Sequence, residues 1–192
     1  MMSNEAQVRL LSRTQLVARP LDEVFAFFAD ASNLEALTPG FLHFRFLTRL
    51  PVEMRVGTRI DYSLSLFGIP VRWRTRIAEW QAGMRFIDVQ EYGPYRYWRH
   101  THTFEGFGRS TLVSDLVEYV LPFGPAGALA HALFVQRLLR RIFDFRRDAI
   151  QAQFAATSPG SHLRSPEPTQ MVGANRAGPP EGGAGGWKSK IE

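Results

Sequence analysis

The chain has 192 residues, of which 45% are hydrophobic, and it contains no cysteine. This length suits one domain with a hydrophobic core and is short for two, while the lack of cysteine excludes disulfide frameworks, thiolate metal sites and cysteine nucleophiles. The formal net charge of +5 is a mild excess, so nucleic acid and anionic membranes are partners to be tested against the charge pattern.

Both ends of the chain differ in character from its middle. The N-terminal residues contain no uninterrupted apolar segment, and no stretch has the roughly 18 apolar residues that span a bilayer, so we predict a cytoplasmic protein. Residues 157–192 hold 12 of the 28 glycines and prolines in the chain. Such a composition predicts a disordered tail, which leaves residues 1–156 as one ligand-binding domain.

In chain order, the hydrophobic pattern predicts one strand, two short helices, six strands and a long helix. Residues 7–18 alternate as a strand, and Pro20 then opens a helix with Asp22 and Glu23 in its first turn. Asp30 separates it from a second short helix that ends near Gly40. The period then changes to two, and strands are predicted over residues 44–50, 58–67, 71–80, 84–92, 95–106 and 110–121.

Residues 126–156 form the predicted long helix, which is apolar on one side. Short turns between the strands favour hairpins, hence an antiparallel sheet. A long helix laid across one curved sheet buries both apolar faces. The fold class is therefore α+β, a helix-grip fold: a curved antiparallel sheet of about seven strands wrapped around a long C-terminal helix, with two short helices after the first strand and an interior cavity.

Three segments carry a resemblance to a known superfamily: FIDVQEYGPYRYWRHTHTF (86–104), DLVEYVLPFGP (115–125) and FVQRLLRRIFDFRRDAI (134–150). With the order of elements, they resemble the SRPBCC superfamily, which includes START domains, birch pollen allergen-like proteins and polyketide cyclase/dehydrase proteins. The chain is most similar to small bacterial ligand-binding SRPBCC domain proteins over residues 8–156. The resemblance implies a hydrophobic cavity, in a superfamily that ranges from passive carriers to enzymes.

Alternation along the strands predicts which side chains face the helix. Arg72, Arg74 and Arg76 share the solvent face of residues 71–80, which places Trp73 inside. Ile60, Tyr62, Leu64 and Leu66 form the matching inward set on the preceding strand, and the long helix adds Phe143 or Phe145.

The segment RYWRHTHTF (96–104) has an aromatic residue or a histidine at every second position. We expect this face to point inward, and a hairpin turning at Gly93 would bring the Asp88 face alongside it. On the last strand, Asp115 is placed on the cavity side with Val117 and Tyr119. The predicted ligand-binding residues are Tyr62, Trp73, Phe86, Asp88, Gln90, Trp98, His100, His102, Phe104 and Asp115.

Three functions compete for this polar and aromatic wall. A metal site needs three or four ligands. The sequence places only His100 and His102 together, and Asp88 or Asp115 is no more than a candidate third ligand. We therefore predict no metal and no cofactor. Binding of a small hydrophobic or amphipathic ligand, such as a lipid, isoprenoid or polyketide-like compound, is the main interpretation. The alternative is a cofactor-independent cyclase or dehydratase that uses His100 or His102 with Asp88 as an acid–base pair. The aromatic side chains could also simply fill a closed core.

Other partners receive less support from the sequence. The arginine stripe lacks aromatic residues on its own face, so we predict no nucleic-acid binding. The apolar segment 123–134 is expected to be covered core, with transient membrane contact at a cavity mouth as the alternative, and His131 is expected on the helix surface. Oligomeric state is left open.

Overall fold

The computed structural model describes residues 7–156, and the predicted disordered tail lies outside the described residues. The strands in this range are β1 (Arg9–Val17), β2 (Arg45–Phe46), β3 (Arg59–Leu66), β4 (Ile69–Gln81), β5 (Arg85–Tyr92), β6 (Tyr97–Phe107) and β7 (Ser110–Val120). These seven antiparallel strands form one sheet in the order β1-β7-β6-β5-β4-β3-β2, so β2 to β7 make a meander and β1 closes on β7.

One predicted strand, over residues 44–50, was too long. The backbone N–H groups of Leu47 and Thr48 both donate to the carbonyl of Asp61, so pairing with β3 stops after Phe46. On β4, register shifts between Arg74 and Thr75, and again near Ile77, interrupt the ladder with β5. Such irregularities bend a sheet, and here the sheet curves toward the helix.

The helices begin with α1 (Leu21–Ala29), followed by 3₁₀ turns at Ala31–Leu34 and Gly40–Leu42 where a second short helix was predicted. The long C-terminal helix has three contiguous parts: α2 (Gly124–Ala130), a π-helical turn (His131–Val135) and α3 (Gln136–Ala156). Among the described residues, none of these helices combines the length and apolar character needed to cross a bilayer.

Two hydrophobic clusters lie between the sheet and the helices. In one, Phe25 and Phe28 of α1 pack against Phe104 of β6. In the other, Trp73 of β4 and Trp98 of β6, on either side of β5, pack with residues of α3. The helix-grip architecture predicted from the sequence is confirmed, and it leaves a space between the clusters.

The arginines of β4 face solvent and meet acidic partners there. Arg74 binds Asp61 with a distance of 2.8 Å between Nε and Oδ1, and Arg76 binds Glu91 at 2.8 Å. Arg59 also binds Glu91, at 2.7 Å. The positive stripe is therefore partly neutralised by its own neighbours.

The start of the long helix corrects two expectations. Segment 123–134 is not covered core, since Phe123 is 84% exposed and Phe134 is 56% exposed. His131 is not on the surface: it is buried and hydrogen-bonded to the Tyr119 hydroxyl at 2.8 Å. His131 and Phe134 lie in the π-helical turn, which takes up an extra residue, so the α-helical pattern does not predict which of these side chains is buried.

Burial of His131, reinforced by Arg9, lowers its pKa. As the pH falls, His131 of the unfolded chain takes up a proton near pH 6.5, whereas His131 of the native state does so only at a lower pH. Below pH 6.5 this residue therefore reduces the free energy of unfolding, by about 1.4 kcal/mol for each unit between its native and unfolded pKa values. We expect the wild type to lose more unfolding free energy than His131→Gln between pH 7.5 and 5.5 in urea titrations. Equal losses in both proteins would contradict this.

Gly127 allows α2 to pass close to the preceding loop. A Cβ added at this position would lie 2.1 Å from the Pro122 carbonyl oxygen. Alanine favours a helix over glycine by about 0.5–1 kcal/mol, but such a backbone clash costs more. We expect Gly127→Ala to lower the unfolding free energy by about 1–3 kcal/mol in a urea titration. Gly40→Ala is the control, because a Cβ there meets nothing within 4 Å.

Candidate functional site

A cavity of about 200 Å³ lies between strands β3 to β6 and helix α3. Its wall is mainly apolar, and Asp88, His100 and His102 form a polar group on β5 and β6, with Thr75 of β4 and Arg146 of α3 among the other polar lining residues. The side chains that line it from the sheet and α3 include Ile60, Tyr62, Leu64, Leu66, Trp73, Thr75, Ile77, Phe86, Asp88, Trp98, His100, His102, Leu138, Leu139, Ile142, Phe143 and Arg146. Of the two helix phenylalanines that the sequence offered as cavity residues, Phe143 lines the cavity and Phe145 is exposed.

Strand β6 presents the face that its alternation predicts. Trp98, His100 and His102 are all buried and line the cavity, whereas Tyr97 is exposed on the opposite face. The two imidazole rings are in contact, with centroids 3.8 Å apart and planes tilted by 40°. His102 also stacks on Phe86 at 4.1 Å. The histidines therefore connect the two hydrophobic clusters.

Asp88 of β5 lies directly across from His100 in the strand register, as the hairpin prediction required. Its Oδ2 is 3.0 Å from His102 Nε2 in a hydrogen bond and 3.6 Å from His100 Nδ1. One carboxylate oxygen therefore faces one nitrogen of each histidine, at the surface of the cavity.

Asp115 of β7 contacts the opposite edges of the same two rings. His100 Nε2 donates to Asp115 Oδ1 over 2.9 Å. His102 Nδ1 is also 2.9 Å from this oxygen, but the direction is poor for a hydrogen bond, and the atom has no hydrogen-bond partner among residues 7–156. Arg146 of α3 approaches the other oxygen of Asp115, with Nε 3.7 Å away. The histidines are enclosed by carboxylates on two sides.

These contacts separate the protonation behaviour of the two histidines. Burial lowers the pKa of His100, and the adjacent His102 lowers it further. Burial also acts against a charge on His102, but Asp115 and Asp88 outweigh it and raise its pKa. Burial disfavours the Asp115 carboxylate, yet Arg146 and the two histidines hold its pKa well below the ordinary value. The pKa values of the two neighbouring histidines are therefore moved apart, with that of His100 below and that of His102 above the ordinary value.

Seven predicted site residues do line the cavity: Tyr62, Trp73, Phe86, Asp88, Trp98, His100 and His102. The structure corrects the other three. Gln90 instead hydrogen-bonds the backbone of Tyr95 through both ends of its amide, bracing the β5–β6 turn. Phe104 packs against α1, which covers that end of the strand. Asp115 faces inward with Val117 and Tyr119, as predicted, but it lies behind the histidines rather than on the cavity wall.

Arg146 is the site residue that the sequence analysis missed. It is buried although it belongs to a helix with many exposed arginines. The signal was its spacing, because Phe143, Arg146 and Ile150 follow the i, i+3, i+7 pattern of one helix face and all three are buried. A charged residue on that apolar face indicates a buried acidic partner, which is Asp115.

A curved sheet closed by one long helix, with an apolar cavity and a polar group on its wall, defines a helix-grip ligand-binding domain. Residues 17–145 match the family described as polyketide cyclase / dehydrase and lipid transport. The chain belongs to this family. No curated protein matches the sequence.

Solved structures share the fold at low sequence identity. An aromatase/cyclase from Streptomyces sp. R1128 superposes with a TM-score of 0.63 at 13% identity, covering 78% of this chain and 94% of that one. A START superfamily protein from Mycobacterium smegmatis gives 0.60 at 12% identity, covering 78% and 99%. Norcoclaurine synthase from Thalictrum flavum, in complex with dopamine and hydroxybenzaldehyde, gives 0.60 at 15% identity, covering 82% and 93%.

Proposed function

We propose that the protein binds one small amphipathic ring compound in this cavity. The observation that carries the proposal is the composition of the wall, which is mainly aromatic and aliphatic and on which Asp88, His100 and His102 converge. Small-molecule sites have this composition, in which apolar surface supplies affinity and a few polar groups orient the ligand.

The size of the cavity favours a ring compound over a long acyl chain. An apolar cavity of about 150 Å³ accepts benzene. The volume of about 200 Å³ here has room for a substituted ring or two small rings. Among structures with this fold, norcoclaurine synthase holds dopamine and hydroxybenzaldehyde, which are both single-ring phenols. A polyketide-like ring compound therefore suits this protein better than a complete lipid.

The wall also indicates what polar group the ligand carries. Trp73 lines the cavity, and its buried indole Nε1 has no hydrogen-bond partner among the described residues. An unsatisfied buried donor costs about 1–3 kcal/mol. A carbonyl or phenol oxygen on the ligand could accept from this N–H while a second oxygen meets His102. We therefore propose an oxygenated ring as the ligand.

Native mass spectrometry of the full chain, purified from its own host, is expected to show a co-purifying small molecule. With 2-naphthol as a defined two-ring probe, binding should quench the fluorescence of Trp73 and Trp98. Leu64→Phe fills the cavity and is expected to weaken naphthol binding at least tenfold, because Leu64 lines the wall. Ser63→Phe, on the other face of β3, is the matched control and should bind normally. Equal affinities of Leu64→Phe and Ser63→Phe for 2-naphthol, together with the absence of a co-purifying molecule, would contradict the proposal.

A second candidate function is acid–base catalysis on the bound ring compound. It is favoured by the two adjacent histidines, whose pKa values are moved in opposite directions, since such pairs provide one base and one acid. His100 would remove a proton next to a ligand carbonyl, and His102 would donate one to the carbonyl oxygen, giving an enol.

Hydrogen–deuterium exchange of 2-tetralone, a two-ring ketone, measures this step by NMR. We expect wild type to accelerate exchange beside the carbonyl, and His100→Gln to lose at least tenfold in rate while still binding the ketone. Unchanged exchange in His100→Gln, or no acceleration by wild type, would exclude the catalytic candidate and leave binding intact.

A further inference from the structure

We infer that Asp88, His100 and His102 form a binding site for one divalent transition-metal ion on the cavity wall. The ligand atoms are Asp88 Oδ2, His100 Nδ1 and His102 Nε2, which all lie within 4.8 Å of one another. This site lies in the cavity proposed to bind a ring compound, but its geometry does not depend on any ligand.

The two distances from Asp88 Oδ2 to the histidine nitrogens suit a shared ion. Atoms held about 2.0–2.1 Å from one metal, at angles of 90° to 120°, are about 2.9–3.6 Å apart. Asp88 Oδ2 is 3.0 Å from His102 Nε2 and 3.6 Å from His100 Nδ1. All three side chains come from the adjacent strands β5 and β6, which hold them rigidly.

Asp115 occupies the position of an outer partner to both histidines. A metal-binding histidine usually donates its other ring N–H to a carboxylate, which orients the ring. Asp115 Oδ1 lies 2.9 Å from His100 Nε2 and 2.9 Å from His102 Nδ1, the two nitrogens that face away from Asp88. Arg146 in turn holds the second oxygen of Asp115. With a metal on Nε2, His102 would carry its proton on Nδ1, which lies 2.9 Å from Asp115 Oδ1 in a direction that is poor for a hydrogen bond in this structure.

The sequence predicted no metal and left Asp88 or Asp115 as a candidate third ligand beside His100 and His102. The fold brings Asp88 to both histidines, and two histidines with one carboxylate form a known set for iron and related divalent ions that keep open coordination positions. The open positions would face the cavity, because all three side chains line it. An oxygen of the bound ring compound would then bind the ion instead of a histidine, so the acid–base candidate and the metal site exclude each other.

Calorimetric titration of the untagged, EDTA-treated full chain with Zn²⁺ tests the site. We expect one ion per chain with a dissociation constant below about 1 μM, and at least 100-fold weaker binding for Asp88→Asn and His102→Gln. His43→Gln is the control, since His43 is exposed and distant in the chain, and it should bind like wild type. No stoichiometric binding, or unchanged binding by His102→Gln, would overturn the inference.

A second measurement on wild type avoids reliance on variants that fail to fold. In ¹⁵N-resolved NMR spectra, Zn²⁺ should shift the ring nitrogens of His100 and His102 and leave those of His43 unchanged. Shifts at His43 alone would identify surface binding and contradict the site. The 2-naphthol titration of metal-free protein separates the two proposals: naphthol binding without Zn²⁺ binding removes only the metal site, and the converse removes only the proposed function.

Discussion

Asp115→Asn is expected to lower the free energy of unfolding by about 3–5 kcal/mol, the usual cost of removing one partner from a buried ion pair. Asp115 and Arg146 are both buried, and Arg146 Nε lies 3.7 Å from Asp115 Oδ2. This nitrogen has no hydrogen-bond partner among residues 7–156, so the ionic contact with Asp115 compensates its charge. The asparagine would leave the Arg146 charge without compensation. It would also weaken the hydrogen bond that His100 donates. Urea unfolding followed by circular dichroism measures the loss.

Asp144→Asn is the matched control for this prediction. Asp144 forms an ion pair with Arg13 at 3.3 Å, but both side chains are partly exposed, at 48% and 33%. Exposed pairs contribute about 0–1 kcal/mol, so the control should change stability little. The double variant Asp115→Asn, Arg146→Met should recover part of the loss because it removes the stranded charge. Similar losses from Asp115→Asn and Asp144→Asn would show that the buried contact is not a stabilising ion pair.

Trp98→Ala is expected to cost about 3–5 kcal/mol of unfolding free energy, since it removes a large buried ring. Trp98 packs edge-on against Trp73 with centroids 5.2 Å apart and lies 4.8 Å from Tyr95. It also lines the cavity, so the truncation should enlarge the site and allow binding of a three-ring probe such as anthrol. Chemical unfolding and fluorescence titration measure the two effects separately.

Tyr97→Ala is the control that tests whether the loss of unfolding free energy in Trp98→Ala depends on the inward position of Trp98 on β6. Tyr97 is the adjacent residue and is 41% exposed on the opposite side of the sheet. Its loss should change stability by less than about 1 kcal/mol. If Tyr97→Ala destabilised the protein as much as Trp98→Ala, the inward and outward assignment of β6 would be wrong.

Hydrophobic periodicity was sufficient to predict most of the fold. A period of two with short turns predicted the meander, and the amphipathic pattern predicted α3. Alternation also placed Trp98, His100 and His102 on one face, because successive side chains of a strand point to opposite sides. Periodicity failed at the start of the long helix, where the π-helical turn rotates the side chains and buries His131.

The polar residues were harder to place than the apolar ones. Gln90 and Phe104 have the alternation of cavity residues. Gln90, however, is hydrogen-bonded to the β5–β6 turn, and Phe104 is covered by α1. Strand alternation gives the face of a residue but not its neighbours across the core. Arg146 was missed for the same reason, since its acidic partner is 31 positions away in sequence and on a different element.

What the sequence determined by itself was the order of strands and helices and the inward face of β6, because both follow from local periods of two and 3.6 residues. Only the tertiary structure decided that Asp88 and Asp115 enclose the histidines from opposite sides and that Arg146 joins them. Those contacts depend on strand register and on where α3 crosses the sheet, which are set by packing over the whole core. The histidines of RYWRHTHTF acquire their chemistry from that packing.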